Sequence, residues 1–250
     1  MKKLTQVMAC AAAVATTGMS SVALAESPLT GNVGMASNYI WRGATQSNDE
    51  AAVSGGIDYA HSSGLYAGTW VSSMSSSTNS DHDAGSNTTS TQYEHDLYIG
   101  YGGEAGPVSY DVSYIKYMYP VGEKVYLDFE EINISVGYGP VTLLVAPTIG
   151  VESDPAATGT KYEDHMYTSI SAEFEVKKDL MLGLVYGVYD YDEAPNTPST
   201  ASADYTHYQI SLSKGDFVFA YDVMDPEATD KTGVKDAPRF SVSWSQSFDL

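Results

Sequence analysis

The sequence has a single cysteine, Cys10, in a chain of 250 residues. One cysteine cannot form an intramolecular disulfide or a multi-cysteine metal site, so the sequence excludes both. Val7, Met8 and Ala9 before it loosely resemble a lipoprotein signal. That alternative leaves few apolar residues between Lys3 and the cysteine, and we favour an ordinary leader.

Basic residues and long apolar runs are also scarce. Lys and Arg number 12 against 32 Asp and Glu, which gives a formal net charge of −20. This balance argues against nucleic acid as a partner and favours cations or cationic solutes. No stretch after Ala25 approaches the roughly 18 apolar residues that a spanning helix requires. Any membrane span in this part of the chain must therefore be built from strands.

The N-terminus has the features of a secretory signal peptide. Two lysines precede an apolar stretch, and the small residues Ala23 and Ala25 form a cleavage signal at its end. We predict a signal peptide over 1–25 that is cleaved before Glu26. The remainder, 26–250, has the length of one domain.

Most of the remaining sequence consists of runs of about ten residues, the length of a transmembrane strand. Apolar and small polar side chains alternate along these runs, and a period of two indicates β-structure. In the last run one parity is apolar except for Gln246, so one face would meet lipid and the other a wet interior. The apolar parity of that run is Phe240, Val242, Trp244, Phe248 and Leu250.

Short and long connections alternate between these runs, which is the pattern of outer-membrane barrels with short periplasmic turns and long outer loops. We predict an all-β fold, an antiparallel up-and-down transmembrane barrel of about twelve strands. A soluble β-sandwich is the alternative, but its turns need not alternate in length. The predicted turns lie near 62–64, 102–107, 139–140, 177–179 and 214–216, and the predicted loops near 43–50, 75–92, 120–125, 152–163, 192–203 and 225–238.

Several sequence blocks carry a family resemblance. They are Gly31-Asn32-Val33-Gly34, Asn38-Tyr39-Ile40-Trp41-Arg42-Gly43, Gly55-Gly56-Ile57-Asp58-Tyr59, His61-Ser62-Ser63-Gly64-Leu65-Tyr66 and Asp96-Leu97-Tyr98-Ile99-Gly100-Tyr101. These blocks resemble the TorF family of proteobacterial porins over the whole mature chain. The resemblance implies an outer-membrane barrel with pore activity and supplies no substrate. Family members commonly stop at the position of Phe248, whereas here Asp249 and Leu250 follow.

The inward parity of the predicted barrel is dominated by Gly, Ala, Ser, Asn and Thr, which predicts a narrow, water-filled passage. Its charged residues are mostly carboxylates, and carboxylates in a confined pore attract cations. We therefore expect a weak cation preference. The alternative is that these acids only keep the wall hydrated. The candidate pore-lining residues are Arg42, Asp58, Glu94, Asp96, Asp111, Glu131 and Glu173.

The sequence lacks the motifs of common enzymes, with no G-x-S-x-G, H-E-x-x-H or P-loop. We predict no catalytic residue, no cofactor and no metal site. His95 could serve a barrel hydrolase at the lipid-facing wall, but an interface residue is the simpler interpretation. Asp81, His82 and Asp83 could bind calcium from a Ser-rich loop, although such residues are more often merely solvated.

The main functional hypothesis is a passive outer-membrane channel for small hydrophilic solutes or cations. The expected partners are outer-membrane lipid, lipopolysaccharide and the barrel assembly machinery, with no nucleic acid. A non-conducting structural or adhesive barrel is the second hypothesis, and an outer-membrane enzyme is the third.

Overall fold

The computed structural model describes residues 28–75, 93–120, 128–151, 165–191, 204–226 and 238–250. Twelve antiparallel strands close into one barrel, in which β1 completes the ring by pairing with β14. The predicted strand number and topology are therefore confirmed. The described residues contain no helix that is long and apolar enough to cross a bilayer.

Strands follow the alternating runs of the sequence closely. Two further short strands, β2 (Ile40–Trp41) and β3 (Ala44–Thr45), pair only with each other. The barrel strands are β1 (Leu29–Ala36), β4 (Ala52–Ala60), β5 (Leu65–Ser73), β6 (Tyr93–Ala105), β7 (Val108–Met118), β8 (Phe129–Tyr138), β9 (Val141–Val151), β10 (Met166–Lys177), β11 (Leu180–Asp190), β12 (Tyr205–Lys214), β13 (Phe217–Pro226) and β14 (Arg239–Asp249).

The outer face of the wall is apolar. Large side chains of one parity point outward, and Phe240, Val53 and Phe219 expose 77%, 63% and 54% of their surface. A continuous exposed apolar surface of this kind suits lipid rather than water. Lys116 also points outward, and its ammonium lies 3.5 Å from a carboxylate oxygen of Glu130, so it has an ion-pair partner within the protein.

Five tight turns lie at one end of the barrel, which we call the short-turn end. Each contains a residue with positive φ, and this is the backbone conformation that tight hairpins require. The turn before β7 is shorter than predicted, because Gly102 and Gly103 continue β6. The first barrel strand begins and the last one ends at this short-turn end. Leu29 pairs with Tyr59 near one of the turns, and Asp249 pairs with Thr30 next to it. The positive-φ turn residues are Gly64, Gly106, Gly139, Asp179 and Gly215.

The connection between β1 and β4 differs from the prediction. An outer loop was expected near 43–50, but β1 already ends at Ala36 and the middle of the segment 37–51 folds into the barrel interior, where Tyr39, Arg42 and Ser47 are buried. We call residues 37–51 the insert, and the end of the barrel where it lies the loop end. The insert turns inward because it carries aromatic side chains and an arginine that find partners on the inner wall.

Candidate functional site

The insert is a compact unit held by its own hydrogen bonds. At its centre the hydroxyl of Ser47 accepts the backbone N–H of Tyr39 at 2.9 Å and donates to the carbonyl oxygen of Glu50 at 2.6 Å. Thr45 Oγ1 donates to Asn38 Oδ1 at 2.6 Å. These bonds satisfy backbone groups that would otherwise be buried without partners, so the segment can sit inside the barrel as a folded piece.

Arg42 stands at the tip of the insert, in the turn between β2 and β3. Its φ is 49° and that of Gly43 is 83°, so two successive residues are left-handed, as in a type I′ hairpin. A non-glycine residue adopts this conformation at an energetic cost, and the surrounding contacts must hold it there. Gly43 has no room for a side chain, because a Cβ there would lie 2.5 Å from Cβ of His207.

Arg42 reaches across the interior to Glu131 on β8. Its two terminal nitrogens donate to Oε1 and Oε2 of that carboxylate at 2.8 Å and 2.7 Å. This is the two-pronged geometry in which guanidinium and carboxylate bind most strongly. The two side chains are only 4% and 0% exposed, so the pair is shielded from water. Tyr117 Oη lies 3.4 Å from Oε2 and adds a longer hydrogen bond.

Aromatic rings surround the same guanidinium. Its central carbon lies 4.2 Å from the ring centre of Trp41, 4.1 Å from that of Tyr167 and 5.5 Å from that of Tyr189. Cations are attracted to the faces of such rings, and the attraction grows where water is excluded. Burial lowers the pKa of Arg42, the charge and hydrogen bonds of Glu131 raise it, and the pKa ends above its ordinary value. The guanidinium therefore stays charged.

A second contact ties the insert to strands β5 and β6 of the wall. The Tyr39 hydroxyl donates to Oε1 of Glu94 at 2.8 Å, and the Tyr39 ring packs edge-on against Trp70 with the ring centres 5.7 Å apart. Burial, followed by the charge of Glu94, raises the pKa of Tyr39 well above its usual value. The phenol remains a donor, and this stabilises an acidic side chain that is only 2% exposed.

The rest of the loop end is filled by stacked aromatic side chains. Tyr117 stacks on Phe129 with ring centres 4.5 Å apart, and Tyr189 stacks on Tyr205 at 5.5 Å. Tyr167 donates to or accepts from Nε2 of His207 at 2.9 Å. Together with the insert, these rings narrow the interior at the loop end.

Comparison with known proteins identifies the family. Residues 22–247 match the family described as a bacterial protein of unknown function, Gcw_chp. The chain belongs to this family. No curated protein sequence matches it. The sequence blocks resemble the TorF family, but the family match gives the name Gcw_chp and not TorF.

Several solved structures are similar in fold to this Gcw_chp protein. A structure reported in work on in-meso crystallization of membrane proteins has a TM-score of 0.52 at 10% identity, with 89% of this chain and 84% of that chain covered. OprD from Pseudomonas aeruginosa, an outer-membrane protein, has a TM-score of 0.42 at 13% identity, covering 83% and 61%. A porin has a TM-score of 0.40 at 14% identity, covering 78% and 62%. At such identities the first of these similarities shows the fold alone.

The six predicted lining carboxylates lie on the inward parity of the Gcw_chp barrel, whereas Arg42 enters the interior from the insert. Most of these residues have partners. The contacts of Arg42, Glu94 and Glu131 are given above. Of the others, Asp96 is 8% exposed on β6, and Asp111 accepts the Tyr66 hydroxyl at 3.0 Å. Asp58 accepts Asn32 Nδ2 at 2.9 Å and also the Tyr98 hydroxyl. Glu173 is exposed toward the short-turn end. The structure thus distributes these acids over two levels instead of one ring.

Several glycines of the inner wall accommodate aromatic rings from the next strand. A Cβ at Gly68 would lie 2.5 Å from the Tyr98 ring, and one at Gly100 would lie 2.2 Å from the Tyr66 hydroxyl. The expectation that small residues leave open space is therefore wrong at these positions. Serines on the strands opposite remain partly exposed, namely Ser171, Ser211, Ser213, Ser241 and Ser243.

Sequence analysis missed two buried polar residues of the inner wall. His207 is 0% exposed, and Asp222 is 1% exposed and accepts Gln209 Nε2 at 2.7 Å. Both lie on the inward parity of their strands, so the alternation already contained the signal. Tyr and Trp beside loops and turns are expected at the membrane interfaces, but the structure turns several of them inward. They are Tyr39, Trp41, Tyr66, Tyr189 and Tyr205.

The remaining predictions concern the outer wall and residues outside the described part. His95 points outward, and its Nε2 lies 2.8 Å from Thr69 Oγ1. The Asp81, His82 and Asp83 segment and the cleavage residues Ala23, Ala25 and Glu26 lie outside the described residues. Among the described residues, no group of three or more His, Cys, Asp and Glu could hold a metal ion.

Proposed function

We propose that this Gcw_chp protein is an outer-membrane porin that passes small hydrophilic solutes passively, without catalysis. The observation that carries the proposal is a closed strand barrel with an apolar outer face and a polar inner face. A barrel of this kind satisfies its backbone hydrogen bonds within the membrane and leaves a hydrophilic interior. Export by the predicted signal peptide and insertion by the barrel assembly machinery belong to the same proposal, as does contact with lipopolysaccharide.

The insert would set the width of the passage. Its side chains meet the inner wall on several strands, so solutes entering from the loop end must pass beside it or displace it. Porins with many strands have wide channels, whereas barrels of few strands are filled by their own side chains. Twelve strands together with an inward-folded connection predict a small conductance.

The charge of the interior favours cations. Most of the charged side chains of the inner wall are carboxylates, and Glu173 and Glu175 are exposed on β10. Such a field raises the local concentration of cations and lowers that of anions. The expected selectivity is weak because several of the other acids are held by tyrosines.

Planar-bilayer recording of the refolded chain tests the proposal. We expect small channels whose reversal potential in a salt gradient indicates cation preference. Replacing residues 38–50 by a short Gly-Ser turn should raise the conductance several-fold, because Ala36 and Ala52 are directly paired across the gap. Silent bilayers with the native chain and the shortened chain would contradict the proposal. Anion-favouring reversal potentials would contradict only the selectivity.

A non-conducting structural or adhesive barrel is the second candidate. The packed loop end favours it, since Arg42, Glu131 and Tyr39 are nearly inaccessible to water. Liposome swelling with sugars of graded size separates the two candidates. Swelling with the smallest sugars supports the porin, whereas no swelling with any sugar supports the structural barrel.

A further inference from the structure

The surroundings of Arg42 have the composition of a binding site for a guanidinium group. The wall contributes a carboxylate, Glu131, which binds both terminal nitrogens, and two tyrosine faces, Tyr167 and Tyr189, which flank the cation. Trp41 of the insert lies against the guanidinium from the insert side. We call Glu131, Tyr167 and Tyr189, all of the barrel wall, the guanidinium pocket.

This chemistry is specific. A bidentate carboxylate matches the planar fork of a guanidinium, whereas a compact ammonium binds it as a point charge. Stacking over a ring face likewise suits a flat, weakly hydrated cation. The arrangement is therefore selective for guanidinium compounds over sodium, potassium or simple amines.

The occupant of the pocket comes from a separable segment. The insert is folded around Ser47 by its own hydrogen bonds. Besides the Arg42–Glu131 pair and the hydrogen bonds of Ser37 with the backbone of Val242, polar contacts at several points connect it to the rest of the barrel. These include Tyr39 to Glu94, Ser75 N–H to the Gln46 carbonyl at 3.0 Å, and Arg239 to Asp49 at 2.8 Å.

We propose that the guanidinium pocket is a recognition site for guanidinium-bearing solutes, and that Arg42 occupies it as an internal competitor when the barrel is closed. A solute carrying a guanidinium would take the place of Arg42 on Glu131 and between the tyrosines. This names the solute class of the proposed porin and rests on that function for its biological meaning. The binding chemistry itself does not depend on conduction.

The test removes the Arg42 side chain from the guanidinium pocket and measures whether a free guanidinium compound binds in its place. In Arg42→Ala protein in detergent, methylguanidinium binding is measured by calorimetry and by the shift in Tm, with methylammonium and sodium at equal ionic strength as controls. We expect Arg42→Ala to bind methylguanidinium at least about tenfold more tightly than native protein, because the competitor has gone. Arg42→Ala with Glu131→Gln should lose that binding, and methylammonium should bind weakly.

Two results would overturn the proposal. One is methylguanidinium binding to Arg42→Ala that equals binding to the double variant. The other is equal affinity for methylguanidinium and methylammonium. Heat-modifiable migration on electrophoresis checks that each variant forms a barrel. If Arg42→Ala does not, the native barrel is recorded in a planar bilayer with methylguanidinium at the loop end, and Glu131→Gln serves as the control. Concentration-dependent block or opening that the control lacks supports the site, and its absence overturns it.

The two proposals fail separately. Binding by Arg42→Ala in detergent without any conductance in bilayers would remove the porin and leave the site. Conductance without methylguanidinium binding would leave the porin and remove the site.

Discussion

The two ends of the barrel interior share one wall and differ in what fills it. At the loop end, Arg42, Glu131 and Tyr167 are nearly water-free and are held by charge and stacking. Toward the short-turn end, Ser211 is partly exposed and Glu173 is exposed on the same barrel. Strand number fixes the circumference of both ends equally. The difference therefore comes from the insert and the wall residues that it contacts, which close the barrel interior at the loop end.

The strongest test of this comparison is the charge pair at the closed end. Glu131→Gln leaves the Arg42 guanidinium buried without its counter-charge, which costs about 3–5 kcal/mol when such a pair is shielded from water. We expect the insert to leave the interior, the conductance to rise and the insert to become sensitive to protease. Urea unfolding in phospholipid vesicles measures the loss of stability.

The matched control for this variant is Glu173→Gln at the open end. It removes a carboxylate of the same type at an exposed position, where effects stay within about 0.5 kcal/mol. Equal losses for the two variants would show that the closed end is no more organised than the open one. Arg42→Ala combined with Glu131→Gln should cost less than Glu131→Gln alone, because no unpaired charge remains.

A second comparison uses two glycines on the inward face of β11. A Cβ at Gly187 would lie 2.2 Å from His207 Nε2 and 2.6 Å from the Tyr167 hydroxyl, whereas one at Gly183 would lie 2.4 Å from the Ser211 hydroxyl. A serine hydroxyl can rotate away, but the stacked rings at Gly187 are confined. Gly187→Ala should therefore cost about 2 kcal/mol, as overpacking commonly does, and Gly183→Ala clearly less. A reversed order in urea unfolding would contradict the packed description of the loop end.

Tyr39→Phe tests the hydrogen bond between the insert and Glu94 on β6. Glu94 loses the hydrogen bond from the Tyr39 hydroxyl, so we expect a loss of about 1 kcal/mol. Tyr138→Phe, at an exposed position on the outer face, is the control and should change little. No difference between the two variants would show that the Tyr39 hydroxyl does not hold the insert.

The same residue gives a pH dependence. The pKa of Tyr39 is raised in the folded barrel above the unfolded value of about 10. The protonated Tyr39 hydroxyl therefore contributes fully to the free energy of unfolding below about pH 10, and this contribution is lost only as the pH rises toward the folded pKa. Native protein and Tyr39→Phe should keep a constant stability difference between neutral pH and about pH 9. A difference that disappears within that range would contradict the raised pKa.

The wall could be predicted from sequence because lipid and water impose opposite requirements on alternate side chains. Phe240 and Ser241 already reveal which face each occupies, and the same alternation would have placed His207, Tyr189 and Asp222 inside. For Tyr189, nearness to a loop suggests the membrane interface, but the side chain is buried inside. The parity of its neighbour Gly187 was the better guide.

The insert could not be predicted in the same way. Residues 37–51 combine Asn38, Ser47 and Asp49 with only a few large side chains, which is the composition of an ordinary exposed loop. Whether such a segment turns inward depends on partners far away in sequence, here Glu131 and Tyr167. A usable signal was the sequence Tyr39-Ile40-Trp41-Arg42-Gly43, where bulky residues lead into a turn-forming glycine.

The smallest effect is expected where the insert reaches the rim. Arg239 donates to Oδ1 of Asp49 at 2.8 Å, but the Asp49 side chain is 49% exposed, so water and salt screen the pair. Such exposed pairs contribute about 0–1 kcal/mol, and Arg239→Gln should change the urea midpoint barely and the conductance not at all. A conductance increase as large as that of Glu131→Gln would show that the insert is held at the rim and not by the buried Arg42–Glu131 pair. The difference in packing between the loop end and the short-turn end would then need another cause.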